Sequence, residues 1–295
     1  MRQGVKMEFE IARVAVALFG CAAGAYFDLR NNRNIPNALL YAMLVVGVAF
    51  NAFGLFGSAP AAQESMVAFV VAGGIFAAGY LLYRAGQIGG ADVYVMGSVA
   101  LLLPAQPRIF AGVAAAPYPY VFSVIAASGL AFMAYMLAKY GVIALRGAVK
   151  EKKGVDAKTA LGMAVVALAY AAFVYVAGAN GVFGLSYFVL VGFVVFASIF
   201  FMAFKGRMAR MMAQEVPLSK IEEEDVLALE YMDEKVVEKY HLKRVADANE
   251  LKRLAKLPIK KYCVYTKMPP FLPHVLFGLL ATLVFGDVLM LLIGA

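Results

Sequence analysis

Two aspartates at the ends of apolar runs are the residues of this chain most able to do chemistry. Asp28 ends one run, within Tyr26–Arg30, and Asp92 opens a later one, directly after Gly89, Gly90 and Ala91. An ionised acid inside a membrane costs roughly 3 kcal/mol, so such residues usually mark functional sites. The two glycines leave the backbone before Asp92 bare, so that another chain can approach it closely. A simpler alternative is that Asp92 only caps a helix.

Paired carboxylates can hydrolyse a peptide bond without a metal or a covalent intermediate. Two neighbouring carboxyl groups cannot both ionise easily, so they share one proton near neutral pH. The charged group then activates water as a general base, and the protonated one acts as a general acid. The chain has two histidines, His241 and His274, and its cysteines, Cys21 and Cys263, form no metal-binding motif. We therefore expect neither a metal nor a cofactor.

The composition is that of a membrane protein rather than a soluble domain. Of 295 residues, 63% are hydrophobic and 16% are charged, and the mean hydropathy is +0.77. An ordinary soluble chain is about half apolar and a quarter charged. The formal charge of +8 follows from the basic cytoplasmic loops of membrane proteins, so it does not indicate a nucleic-acid partner. The expected surroundings are the lipid bilayer of the cell membrane.

Apolar segments near the spanning length of about 20 residues recur along the chain and predict an all-α polytopic membrane protein with about eight transmembrane helices. The fourth is the least regular, because glycines begin it and Pro104 and Pro107 follow it. The predicted spans are Ile11–Phe27, Ala38–Phe56, Met66–Tyr83, Gly86–Leu103, Tyr118–Ala138, Ala160–Ala177, Phe183–Phe204 and Phe271–Ile293.

Loop charges predict the orientation of these spans. The loops after spans one, three, five and seven contain Lys or Arg, those after spans two and six contain none, and the loop after span four has only Arg108. Because basic loops remain in the cytoplasm, the odd-numbered spans are expected to end there. Asp28 and Asp92 then lie on the same, cytoplasmic, side at similar depth, which favours their acting as a pair.

One long polar segment interrupts the membrane sequence. We predict a transmembrane domain over residues 1–204, a cytoplasmic insert over 205–267 and a last transmembrane helix over 268–295. Short strands are expected at Val226–Leu229, Val236–Val237 and Val264–Tyr265, and a helix at Ala248–Leu257, so the insert is a small α+β subdomain. The alternative is a solvated loop whose amphipathic helices lie on the membrane.

An acidic run in the insert, Glu222–Asp225, lies on the side where we expect a substrate to arrive. Such charges can steer a basic peptide, and that effect falls with ionic strength. The simpler alternative is that these residues only keep the surface of the insert solvated.

The motifs around the two aspartates resemble the type IV prepilin peptidases, and more closely their archaeal branch, which includes the preflagellin (prearchaellin) peptidases. The resemblance rests on Asp28 followed by Asn34–Asn37, on Gly89–Asp92, and on Met268–Pro273 before the last span. It implies a membrane aspartic peptidase of the Gly-x-Gly-Asp type with Asp28 and Asp92 catalytic. Gly89, Gly90, Ala91, Pro36 and Asn37 would shape the site.

Three departures from the family pattern bear on this expectation. Ala91 stands where the signature often has Gly, a small-for-small change, and Tyr94 replaces the Lys of many bacterial members. The loop after Asp28 lacks the cysteines of the bacterial enzymes, so the resemblance implies a peptidase without the methyltransferase activity.

The implied substrates are pilin-like or archaellin precursors with a basic class III signal peptide, cleaved at the cytoplasmic face. The sequence does not decide between these precursors, nor does it give the oligomeric state. A presenilin-like intramembrane protease with other substrates, a proton- or ion-coupled transporter and a non-enzymatic scaffold remain alternatives.

Overall fold

The computed structural model describes residues 2–30, 34–107, 116–151, 155–179, 184–266, 268–287 and 290. Arg108, Phe183, Lys267 and the predicted end of the last span at Ile293 lie outside them. The described residues form α-helices joined by short connections, with one small sheet. The helices are α1 (Arg2–Arg30), α2 (Asn37–Leu55), α3 (Ala59–Arg84), α4 (Gly90–Leu102), α5 (Tyr120–Met136), α6 (Val142–Glu151), α7 (Ala157–Ala179), α8 (Leu185–Met212), α9 (Glu234–Tyr240), α10 (Ala248–Leu254) and α11 (Leu272–Phe285).

Within the ranges given above, six helical stretches are long and apolar enough to cross a membrane, and two shorter apolar helices accompany them. The six are α1 to α3, the continuous stretch Tyr120–Gly147, α7 and α8, and the shorter two are α4 and α11. The predicted class, a multi-pass all-α membrane protein, is confirmed. The number eight holds only when the two short helices are counted.

Three predicted spans differ in extent from the observed helices. The fourth begins at Gly90 rather than Gly86, because Gly86 has a φ of 66° and turns the chain after α3. The fifth is longer, since a π-helical segment, Leu137–Gly141, joins α5 to α6. Helix α11 ends at Phe285, where Gly286 has a φ of 83°.

The core of the membrane region lies among α1 to α5 and α11. Glycines allow the helices to approach closely: a Cβ on Gly97 of α4 would stand 2.5 Å from the ring of Phe76 in α3. Such small residues are typical of helix contacts in lipid. In contrast, α7 packs on α8 and is otherwise exposed, as expected for a helix whose side chains face lipid. The central bundle therefore positions the two aspartates.

The segment between α8 and α11 forms a small α+β unit with its own core. Strands β1 (Gln214–Val216) and β2 (Tyr262–Val264) pair antiparallel, with Gln214 opposite Val264. Their apolar side chains pack on Leu227, Leu242 and Leu254. This agrees with the predicted α+β insert and not with a solvated loop. Because α8 runs on to Met212, the first eight residues of that predicted insert continue the preceding helix.

Only part of the predicted secondary structure of the insert is correct. Val226 and Leu227 make single bridges, to Val245 and Val264, and α10 matches most of the predicted helix. The strand predicted at Val236–Val237 is wrong, because these residues lie in α9. Asp233 caps that helix by accepting a hydrogen bond from the Lys235 N–H at 3.0 Å.

A buried carboxylate holds α10 against the end of α9. Glu250 is 1% exposed, and the guanidinium of Arg253 donates to it through Nε at 2.8 Å. The same guanidinium donates to the carbonyl oxygens of Tyr240 and His241, at 2.7 and 2.8 Å. One arginine thus neutralises the buried charge and ties two helices together.

Replacing Arg253 by Ala is therefore expected to destabilise the insert by about 3 kcal/mol, because it leaves the charge of Glu250 buried without its cation. Limited proteolysis between Gln214 and Thr266 measures this opening. The matched control is Lys252→Ala, which removes an exposed cation from the same helix. Equal protease resistance of the two variants would contradict this role for Arg253.

Candidate active site

Asp28 lies in the last turn of α1 and is 8% exposed. Its Oδ2 accepts a hydrogen bond from the backbone N–H of Leu272 at 3.0 Å. Leu272 is the first residue of α11, so the carboxyl group faces the N-terminus of that helix. A helix N-terminus stabilises negative charge through its free N–H groups and its dipole. Helix α11 thus fixes one oxygen of Asp28.

Asp92 lies in the first turn of α4, partly exposed. Its Oδ2 accepts a hydrogen bond from the backbone N–H of Gly89 at 3.2 Å, and Gly89 is the N-cap residue of the helix. Asp92 is therefore not the N-cap itself. It makes the return hydrogen bond from the third helical position, as in a capping box. The capping alternative thus holds in a modified form, and it leaves the other oxygen of Asp92 available.

The structure brings the two aspartates to the same end of the bundle. Helix α1 ends there while α4 and α11 begin there, and α1 packs against both. Asp28 and Asp92 are close enough for their charges to interact. Two carboxyl groups in such a position oppose each other's ionisation. Their arrangement suits general acid–base catalysis on a single water molecule.

The other predicted site residues lie around the same end. Gly89 precedes α4, and Gly90 and Ala91 begin it. Pro36 is the N-cap of α2, where its carbonyl oxygen accepts from the Leu39 N–H at 2.9 Å, and Asn37 begins that helix. Within the described part of the chain, neither Pro36 nor Asn37 hydrogen-bonds to an aspartate. They begin a helix that packs on α4, so their effect on the site is indirect.

Aromatic contacts hold the beginnings of α2 and α4 in register. The rings of Tyr41 and Tyr94 meet edge to face, with centroids 5.8 Å apart. Phe76 of α3 meets the Tyr94 ring in the same way at 5.7 Å. Tyr94 therefore packs between α2 and α3 one turn after Gly90–Ala91, where it supports the start of α4.

The insert covers the glycine-rich turn that leads to Asp92, a contact that the sequence did not predict. A Cβ on Gly86 would stand 3.1 Å from side-chain atoms of Val226 and Arg244. A Cβ on Gly90 would stand 3.2 Å from an oxygen of Glu224. The acidic run Glu222–Asp225 was the available signal, but nothing in it distinguished Glu224 from its neighbours.

Another buried acid, Asp287, lies at the opposite end of the bundle from Asp28 and Asp92. Asp287 follows α11, is 1% exposed, and accepts hydrogen bonds from the hydroxyls of Tyr118 and Ser123. It therefore links the end of α11 to the beginning of α5, and it is a packing residue far from the aspartate pair. Among the described residues, no group of three or more His, Cys, Asp or Glu could hold a metal ion.

Comparisons with known proteins identify the region that carries both aspartates. Residues 15–137 match the type IV leader peptidase family. Over 145 residues the chain is 32% identical to the prepilin peptidase EppA of Methanothermobacter thermautotrophicus. That match covers 45% of this chain and 36% of the relative, so the chain spans little more than a third of that protein's length. No solved structure matches the chain.

Proposed function

We propose that the chain is a membrane-embedded aspartic endopeptidase, because residues 15–137 match the type IV leader peptidase family and the motifs resemble those of the archaeal prepilin peptidases. Its substrates would be precursors of pilin or archaellin type, cleaved between a basic signal peptide and an apolar helix. The observation that carries the proposal is the pair Asp28 and Asp92, held at one end of a bundle whose matched region contains both. The relative from Methanothermobacter thermautotrophicus is a prepilin peptidase, which agrees with the proposal.

The proposed reaction uses only the two carboxyl groups and water. The ionised aspartate removes a proton from the water, whose oxygen attacks the carbonyl carbon of the scissile bond, while the protonated aspartate donates its proton to the carbonyl oxygen. The tetrahedral intermediate then collapses: the C–N bond breaks, the aspartate that took the water proton donates it to the leaving nitrogen, and one hydroxyl of the intermediate returns its proton to the other aspartate. Backbone N–H groups hold Oδ2 of each aspartate, which fixes both carboxyl groups before the substrate arrives.

The cytoplasmic face is the proposed side of the reaction. Basic residues follow α1, α3 and the α5–α6 stretch in the sequence, and α1 and α3 end on the side where the two aspartates lie. The apolar helix of the precursor would lie among the spans, with its leader on the cytoplasmic side. We accordingly retain the proposed division into a membrane domain over 1–204, a cytoplasmic insert over 205–267 and a last helix over 268–295.

A cleavage assay with the purified protein in lipid tests this function. Full-length pilin-like and archaellin-like precursors are the substrates, and mass spectrometry locates the cut. We expect one cut before the apolar helix, and the same rate in EDTA, because no step requires a metal ion. Failure to cleave either class of precursor, or a loss in EDTA that zinc restores, would contradict the proposal.

A further inference from the structure

We propose that Glu224 of the insert binds a basic side chain of the substrate, on the leader side of the cleaved bond. This inference rests on the proposed peptidase function and assigns one specificity-determining residue to the same site. It depends on where the Glu224 carboxylate lies, on the absence of a cation paired with it in the described part of the chain and on the backbone conformation that holds it.

The Glu224 carboxylate lies directly beside the turn that carries Asp92. One of its oxygens is 3.2 Å from the point that a Cβ on Gly90 would occupy, and Gly90 is two residues before Asp92. Because Gly90 has no side chain, nothing separates the carboxylate from this backbone. A cation bound by Glu224 would therefore belong to a residue close to the bond that the aspartates attack.

Glu224 has no cation of its own among the residues that the structure describes. Arg244, whose side chain lies beside Gly86 in the same turn, pairs with Glu230 at 3.2 Å, and the hydroxyl of Tyr265 also donates to Glu230. Partial burial raises the pKa of Glu224, and the charge of Glu223 raises it further. A positive side chain beside Glu224 would offset both the burial and the repulsion from Glu223. Because part of Glu224 is exposed, there is room for such a side chain to bind.

The backbone of Glu224 adopts a conformation that favours glycine. Its φ is 73°, and among described non-glycine residues only His241, which ends α9, also has a positive φ. The Glu224 N–H donates to the Ala246 carbonyl oxygen at 3.0 Å, and the Leu227 N–H donates to the Arg244 carbonyl oxygen at 2.7 Å. These bonds fix the turn against the neighbouring segment, so the carboxylate has a defined position above Gly90.

The docking of the insert maintains this position. Val226 and the aliphatic part of Arg244 pack on Gly86, on the other side of the same turn. The insert therefore contacts the glycine-rich turn at both ends, and Glu224 is the acidic side chain at the end nearer Asp92. Glu222 and Glu223 belong to the same run and are also exposed, and neither has this contact.

Reversing the charge at Glu224 and at the basic residues of the precursor leader tests the assignment. The enzymes are the wild type, Glu224→Gln, Glu224→Lys, Glu224→Gly and the matched control Glu223→Gln. The substrates are one full-length precursor and variants in which each basic leader residue is replaced in turn by Gln or Glu. Rates are compared as kcat/KM, and thermal unfolding of each enzyme is measured alongside.

At one leader position, we expect the wild type to cleave the basic precursor about five-fold faster than its Gln variant, the size of a partly exposed ion pair. Glu224→Gln should lose this preference, Glu224→Lys should prefer the Glu variant, and Glu223→Gln should behave as the wild type. Glu224→Gly should also lose the preference, although glycine relieves its left-handed backbone and should not lower the unfolding temperature.

Two results would overturn the assignment while the peptidase function stands. The first is that the Glu224→Gln enzyme keeps the same preference for a basic leader as the Glu223→Gln enzyme. The other is an equal loss on every precursor whatever its leader charge, which would make Glu224 a structural residue. Failure of the wild type to cleave any precursor is distinguishable from both, because it overturns the proposed function and this inference with it.

Discussion

Replacing both Asp28 and Asp92 by Asn is expected to cost hardly more activity than replacing either one. Each single change should lower kcat by about 10³ or more, because it removes either the base that activates water or the acid that protonates the carbonyl oxygen. When the first group is gone, the second has no step to assist. Groups that act as a unit therefore show strongly non-additive losses.

Single-turnover cleavage by the wild type, both single variants and the double variant measures this effect. Asn has nearly the same size as Asp, so folding and membrane insertion should survive, as thermal unfolding can check. Asp287→Asn is the matched control: it alters a buried acid at the other end of the bundle and should leave most of the activity of the folded protein. Multiplying losses, about 10⁶ for the double variant, would show that the two residues act independently.

Replacing Gly278 by Ala is expected to have the largest structural effect of any methyl-sized change in α11. The new Cβ would stand 2.7 Å from the backbone nitrogen of Ser128 and 2.9 Å from the carbonyl oxygen of Val124. Backbone atoms cannot rotate away as a side-chain tip can, so α5 and α11 must separate, at a cost of about 2 kcal/mol. Because Leu272 at the start of α11 holds Asp28, activity should fall together with stability.

Gly129→Ala is the control, since Gly129 is next to Ser128 on α5 and a Cβ there would meet no atom within 4 Å. Thermal unfolding in detergent and cleavage rate are the two measurements. An unchanged unfolding temperature for Gly278→Ala would contradict this account of the α5–α11 contact. Full activity in a destabilised protein would show instead that catalysis does not depend on the position of α11.

The sequence predicted the membrane class and the approximate spans, because the length and hydropathy of a segment decide whether it can cross a bilayer. It did not predict the late start of α4 at Gly90, which depends on a left-handed turn at Gly86. The strand predicted at Val236–Val237 failed for a local reason: the capping by Asp233 starts a helix there. Short β-branched pairs carry too little information to outweigh such a cap.

The aspartate pair was predicted from loop charges and motifs, but its supporting contacts were not. Asp28 accepts a hydrogen bond from the backbone N–H of Leu272. Any residue except proline would supply this donor, so the side-chain sequence does not predict the contact. The contact of Glu224 with Gly90 joins residues more than a hundred positions apart. It depends on how the insert docks, which is a property of the folded chain rather than of either segment.

Cleavage of a full-length precursor by the Asp92→Asn protein tests the central claim most directly, because Asp92 also makes a helix-capping hydrogen bond. The amide oxygen of Asn can accept the same bond from Gly89, so the start of α4 should remain intact and the unfolding temperature nearly unchanged. A catalytic carboxyl group at this position predicts that cleavage stops. Precursor cleavage near the wild-type rate would contradict the aspartate pair and leave Asp92 with the capping role alone.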